Sequence, residues 1–241
     1  MRGTILFVLL RSFIERSIGM VRIVTVYGRL LLEAMGQTLI LALSGLFFAC
    51  ILGLIFGLMS VVRNKVCNVI AVIFVDAIRS VPMIVLAYFI YFGVPAAINN
   101  MPGMSFTLSA LQAGTVALAL NCGAYMAEII RAGIQSVDRG QMEAARSLGL
   151  PYWRAMQRVV LPQAIRTMIP SIVNQFIITL KDTSILSVIG FPELVNTAKN
   201  VVASTFRAFE VWGLVAVMYI IVILTLSRCA KILERRLNRG R

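Results

Sequence analysis

Polar side chains are sparse in this chain, and those able to do chemistry recur at helical spacing. Ser171, Gln175, Thr179 and Asp182 form one stripe, with Asn174 and Lys181 beside it and Thr183 after it. Asn121, Tyr125 and Glu128 fall at i, i+4 and i+7, on one face of another helix. Asp76 and Arg79 stand three apart, as do Glu128 and Arg131. The chain has no histidine, and no carboxylate pair stands out, so general acid–base catalysis has no obvious actors. No glycine-rich phosphate loop ending in Lys-Ser or Lys-Thr is present to hold a nucleotide. Cys50, Cys67, Cys122 and Cys229 include no C-x-x-C pair, so neither a metal nor a redox site is expected, and no cofactor. What remains is recognition. A carboxylate such as Asp182 can receive an ammonium, and a Lys or Arg can receive a carboxylate.

The elements that must position these groups are membrane helices. The 241 residues are 59% hydrophobic and only 14% charged, with a mean hydropathy of +0.89. A soluble domain carries far more charge. Residues 34–62 and 80–127 hold no charged side chain, and a span needs about 20 apolar residues. Five spans are expected: 37–62, 66–94, 108–130, 164–190 and 211–228. Gly45, Gly53 and Gly57 on the first would let a neighbour approach closely. Ser80-Val81-Pro82 should kink the second, with Tyr88, Tyr91 and Phe92 at its far interface. Pro170 should kink the fourth. Residues 191–210 read as a polar connection. Residues 1–30 read as an interfacial amphipathic segment on the membrane surface, without the cleavage site of a signal peptide. The transmembrane domain then covers 31–236, and 237–241 is a basic tail.

Intramembrane charges usually find each other or serve function. Asp76–Arg79 and Glu128–Arg131 are therefore expected as structural ion pairs, and Asp182 as a functional group. For Asn121 and Gln175, substrate contact and hydrogen bonding between spans weigh equally. The net charge of +13 is distributed around the spans, which fits anionic lipid and topology and gives no reason to expect nucleic acid. Lys and Arg number two in the first loop, none in the second, six in the third, two in the fourth and six in the tail. Counting the first and third loops and the tail as cytoplasmic obeys the positive-inside rule, although it leaves five basic residues on an external N-terminus.

One basic interruption, about 132–163, separates the third and fourth spans. In it, Glu143 to Leu148 are good helix formers, Gly149 suits a left-handed cap, Pro151 suits the first turn of a new helix, and Pro162 should end or kink that helix. Glu143-Ala144-Ala145, Gly149 and Leu161-Pro162 have the spacing of the EAA signature. With Tyr125 to Ile134, Leu161 to Arg166, Asn174-Gln175 and Leu180 to Ser184 around it, this run resembles the permease subunits of ATP-binding-cassette importers of the polar amino acid uptake group. Val159, where the broad signature often has Ile, is a conservative departure.

The resemblance implies an all-α, polytopic membrane bundle of the type I importer fold, in a bacterial inner membrane with its C-terminus cytoplasmic. It implies coupling by Glu143, Ala144, Ala145 and Gly149 on a short helix docked in a separate ATPase subunit. It also implies a second permease subunit, an external substrate-binding protein and a polar amino acid as substrate, with Arg79, Asn121, Gln175, Lys181, Asp182 and Thr183 along its path. The rival reading is a membrane scaffold that docks a cytoplasmic partner without transport, which has no need of the polar stripes. An ion-driven carrier usually shows internal repeats, and none is visible.

Overall fold

A computed structural model describes the backbone of residues 2–62 and 64–238 and the side chains of 19–62 and 64–232. Arg63 of the first basic turn, the side chains of 1–18, and residues 239–241 of the basic tail lie outside the described residues. Among the described residues there is no strand. Among the described residues, four helices are long and apolar enough to cross a membrane, and a fifth crossing appears if one bent pair is counted as a span.

Helix α1 runs from Arg2 to Met59 without a break. The boundary expected near residue 30 is therefore not marked in the backbone. Within 1–30, Ile23 buries, together with Leu31, Ala34 and Met35, against Leu194, Ala198, Val201, Val211 and Val215 from the far end of the chain, whereas Val21, Val24, Val26 and Leu30 are exposed. A face covered by protein carries the same weak amphipathic pattern as one lying on a membrane, and sequence does not separate the two. The apolar stretch Gly19–Met59 has 41 residues, about 60 Å at 1.5 Å per residue and twice the hydrocarbon thickness. One end of α1 must therefore stand clear of the bilayer core.

Helix α2 (Lys65–Ser80) and helix α3 (Met83–Asn99) meet at 102°. Val81 is extended, at φ −96° and ψ 127°, as the residue before a proline prefers. Pro82 then starts the second helix and contributes no donor to the first. The expected kink is thus a full break. Asn99 closes the following loop by two hydrogen bonds with the backbone of Phe106. Helix α4 (Ala110–Gln135) opens with a capping box between Ser109 and Gln112.

Helix α4 forms the centre of the bundle and packs against α1 along the glycine face. A Cβ at Gly45 would lie 2.6 Å from the Leu118 Cβ, one at Gly53 2.5 Å from the Met126 Cβ, and one at Gly57 2.8 Å from the Ile130 Cβ. The partners advance in step, so the two helices run in the same direction. Their backbones approach to a distance that only glycine permits.

Helix α5 (Arg139–Ser147) is the short element of the basic interruption. Helix α6 runs from Tyr152 to Ile189, and its first part is the second short helix expected from the sequence. Pro162 does not end it. A π-helical turn at Met156–Val160 precedes the proline, and the extra residue of such a turn accommodates a ring that cannot donate. Pro170 also stays inside the helix. The helix that carries the fourth span accordingly begins at Tyr152, ahead of the span expected from 164, and it tightens to a 3-10 helix over Thr183–Ile189.

The polar connection at 191–210 contains helix α7 (Leu194–Thr205), whose apolar face joins the core beside α1. Glu193 caps it, accepting from the Val195 and Asn196 amides at 2.9 and 2.6 Å while fully buried. Helix α8 (Ala208–Asn238) completes the bundle.

Candidate functional site

The polar faces of α4 and α6 meet the break between α2 and α3. They enclose a cavity of about 470 Å³, lined by Arg79, the Ser80–Met83 segment, Asn121, Tyr125, Gln175, Ile178 and Asp182. Helical spacing turns Asn121 and Tyr125 toward the same space, and Gln175 and Asp182 toward it from across. Asn121 and Gln175 are buried, while Asp182 is half-buried. The cavity thus offers a carboxylate, a guanidinium and two amides.

Four of the six residues expected along a substrate path, Arg79, Asn121, Gln175 and Asp182, line this one cavity. The other two do not. Lys181 is exposed elsewhere on α6. Thr183 is fully buried, and its hydroxyl donates to the Leu180 carbonyl at 2.7 Å. Sequence neighbours of Asp182 point elsewhere because each helical residue turns about 100° from the last.

Arg79 does not pair with Asp76, contrary to expectation. It reaches Glu128 of α4 at 3.9 Å and lies over the Tyr125 ring, 5.1 Å from its centroid. Glu128 is already held in a two-pronged ion pair by Arg131, at 2.9 and 2.5 Å. That local pair was legible in the sequence. The Arg79–Glu128–Tyr125 grouping was not, because it needs α2 against α4. Tyr125 was visible on the right face of α4 but had no signal tying it to Arg79.

At the end of the bundle where α1, α2 and α4 turn, α5 projects from the apolar region. Asp138 caps it, accepting from the Gly140 amide at 2.6 Å. Its end is closed by paired bonds from Gly149 N–H to the Arg146 carbonyl and from Leu150 N–H to the Ala145 carbonyl, at 3.0 and 3.2 Å. This is a Schellman cap, and Gly149 sits at φ +85° to make it. Glu143, Ala144 and Gly149 are exposed, whereas Ala145 is buried against the bundle. Leu148 and Trp153 beside them are 85% and 64% exposed. Such large apolar side chains on a polar projection suit a partner surface, and nothing in their sequence context marks them out.

Residues 45–240 match the family described as the inner membrane component of binding-protein-dependent transport systems. The chain belongs to that family. It is 39% identical over 209 residues to the glutamine transport system permease protein GlnP of Escherichia coli strain K12, covering 87% of this chain and 93% of that one. It is 40% identical over 201 residues to the probable glutamine ABC transporter permease protein GlnM of Bacillus subtilis strain 168, covering 83% and 88%. Among solved structures, it superposes on a chain of an amino acid ABC transporter determined with histidines at a TM-score of 0.80 and 39% identity, covering 87% and 95%. The MetNI methionine ABC transporter shares the fold at a TM-score of 0.74 and 19% identity. The chain is thus a membrane-spanning transport subunit of the inner membrane, with the all-helical importer fold that its sequence resembled.

Proposed function

We propose that this permease carries a polar, uncharged amino acid of the glutamine class, through the cavity between α2, α4 and α6. The supporting observation is the chemical make-up of that cavity. Asp182 can receive the α-ammonium and Arg79 the carboxylate, while Asn121 and Gln175 can donate to and accept from a side-chain amide. In a low-dielectric bundle each substrate group needs such a complement. The names of the GlnP and GlnM relatives point to the same substrate. A scaffold that only docks a partner has no use for this cavity.

Energy enters through α5. Its compact cap, the exposed Glu143 and Ala144, and the Leu148–Trp153 apolar pair form a stiff projection that fits a groove on a separate ATP-hydrolysing subunit. Ala145 lets α5 sit close against its own bundle. The α5 end and the C-terminal end of α8 share one side, since α8 starts from the segment that follows the far end of α6 and by Ser227 and Lys231 has come back beside Pro170 and Asn174, midway along α6. Both ends are rich in Arg, so this side is cytoplasmic. The Asp182 side faces an external substrate-binding protein, and a second permease chain, the same or similar, completes the translocator against lipid.

Affinity purification from native membranes tests this assembly. A cassette ATPase in stoichiometric amount is expected with the wild-type chain and is lost with Glu143→Lys, while the spans remain folded. Full recovery of the ATPase with Glu143→Lys and persistent uptake would remove the coupling assignment.

A further inference from the structure

A second polar cavity, of about 370 Å³, lies on the α5 side of Arg79, between α2 and α4. Its lining includes Ser60, Asn68, Asp76, Arg79, Glu128 and Arg131. Most of these groups are already occupied. Ser60 donates to the Gly57 carbonyl, Asn68 donates to the Ser60 carbonyl, and Arg131 is shared between Glu128 and Gln135. Two are not. Asp76 has no ion pair within 4.0 Å among the described residues, although the Arg131 charge acts on it from farther off, and Arg79, besides the Tyr125 ring, has only the long 3.9 Å approach to Glu128. Asp76 and Arg79 lie one helical turn apart on α2, so the cavity presents an open carboxylate and a loosely held guanidinium together. That is the complement of a zwitterion.

Arg79 lines both this cavity and the outer one that contains Asp182. Resting on the proposed amino acid path, we infer that the inner cavity is a second station for the same zwitterionic amino acid, with Asp76 as its ammonium ligand and Arg79 as the carboxylate ligand common to both stations. A substrate held at Arg79 passes its ammonium from Asp182 to Asp76 and keeps its carboxylate partner throughout. Crossing a low-dielectric region without any partner is the expensive alternative. Glu128, pinned by Arg131, then receives Arg79 when the substrate leaves. Tyr125 keeps the guanidinium between the two cavities.

Because the stations share Arg79, one substrate occupies either of them at a time, and equilibrium binding of radiolabelled L-glutamine to the purified permease–ATPase complex, without nucleotide, separates them by variant. One molecule per permease chain is expected for the wild type, for Asp76→Asn and for Asp182→Asn, and none for the double variant. Val72, on the wall of the inner cavity, supplies an independent variant: Val72→Phe fills the space without altering charge and, added to Asp182→Asn, should also abolish binding. It decides the matter if the double carboxylate variant fails to assemble. Loss of binding by Asp182→Asn alone overturns the inner station and leaves the outer path standing. Binding retained when Asp76→Asn or Val72→Phe is added to Asp182→Asn overturns both stations. Loss of binding by Asp76→Asn alone, or no binding by the wild type, refutes the outer path.

Discussion

At the scale of single residues, the site depends on charges held where lipid surrounds the protein. The place of Asp182 in the cavity lining was legible because it stands on a polar helical stripe in an apolar span, where a carboxylate is the basis for the proposed role. Arg79 was visible too, but its partner was not. Spacing favoured Asp76, three residues away, whereas the fold brings Glu128 from α4. A charged hydrogen bond to substrate contributes about 1.5–3 kcal/mol, so Asp182→Asn should reduce uptake about 10- to 100-fold. ATPase co-purification should be unchanged, and unaltered uptake at low substrate would count against the assigned role. Glu193, outside the spans, was missed because nothing in the sequence distinguishes a buried cap from a loop carboxylate. Burial pushes its pKa from the usual 4.5 up to about 7. A raised carboxyl pKa means that folding favours the protonated form. The associated stability is fully present below pH 4.5 and is lost as pH rises through 7. Thermal unfolding should therefore show a more stable protein at pH 5 than at pH 8. Glu193→Gln, which keeps an acceptor for the cap, should flatten that difference.

At the scale of elements, the helices were readable and their junctions less so. The α5 cap followed directly from Gly149 and the helix formers before it. Gly149→Ala forces an L-residue to φ +85° at a cost of about 1 kcal/mol or more. The expected result is weaker retention of the ATPase with the apolar spans intact, measured by co-purification and thermal unfolding. Pro162 misled because a proline inside a helix can be absorbed by a π turn, and π turns leave no clear mark in sequence. The glycine face of α1 was recognisable as a site of close approach, although its partner was not. Gly53→Leu would drive a side chain into Met126 and the Gly123 carbonyl. It should lower the yield of folded protein more than Gly36→Leu, whose added Cβ meets nothing within 4 Å.

At the scale of the whole molecule, hydropathy placed the spans, and the charge count carries the proposed orientation. The N-terminal third escaped that treatment. Its arginines suggested a surface segment over 1–30; in the part of it whose side chains are described, Ile23 is buried with residues of α7 and α8, while Val21, Val24, Val26 and Leu30 are exposed. The proposed function joins the cavity to α5: in it, motion imposed on the projection opens the space around Arg79, Gln175 and Asp182 to one side and then the other. The measurement that tests this most directly is uptake of radiolabelled L-glutamine into proteoliposomes containing the permease, its ATPase and its external binding protein. The account predicts accumulation that requires ATP and binding protein and that collapses with Asp182→Asn or Glu143→Lys. Accumulation without ATP, or equal accumulation by both variants, would contradict it.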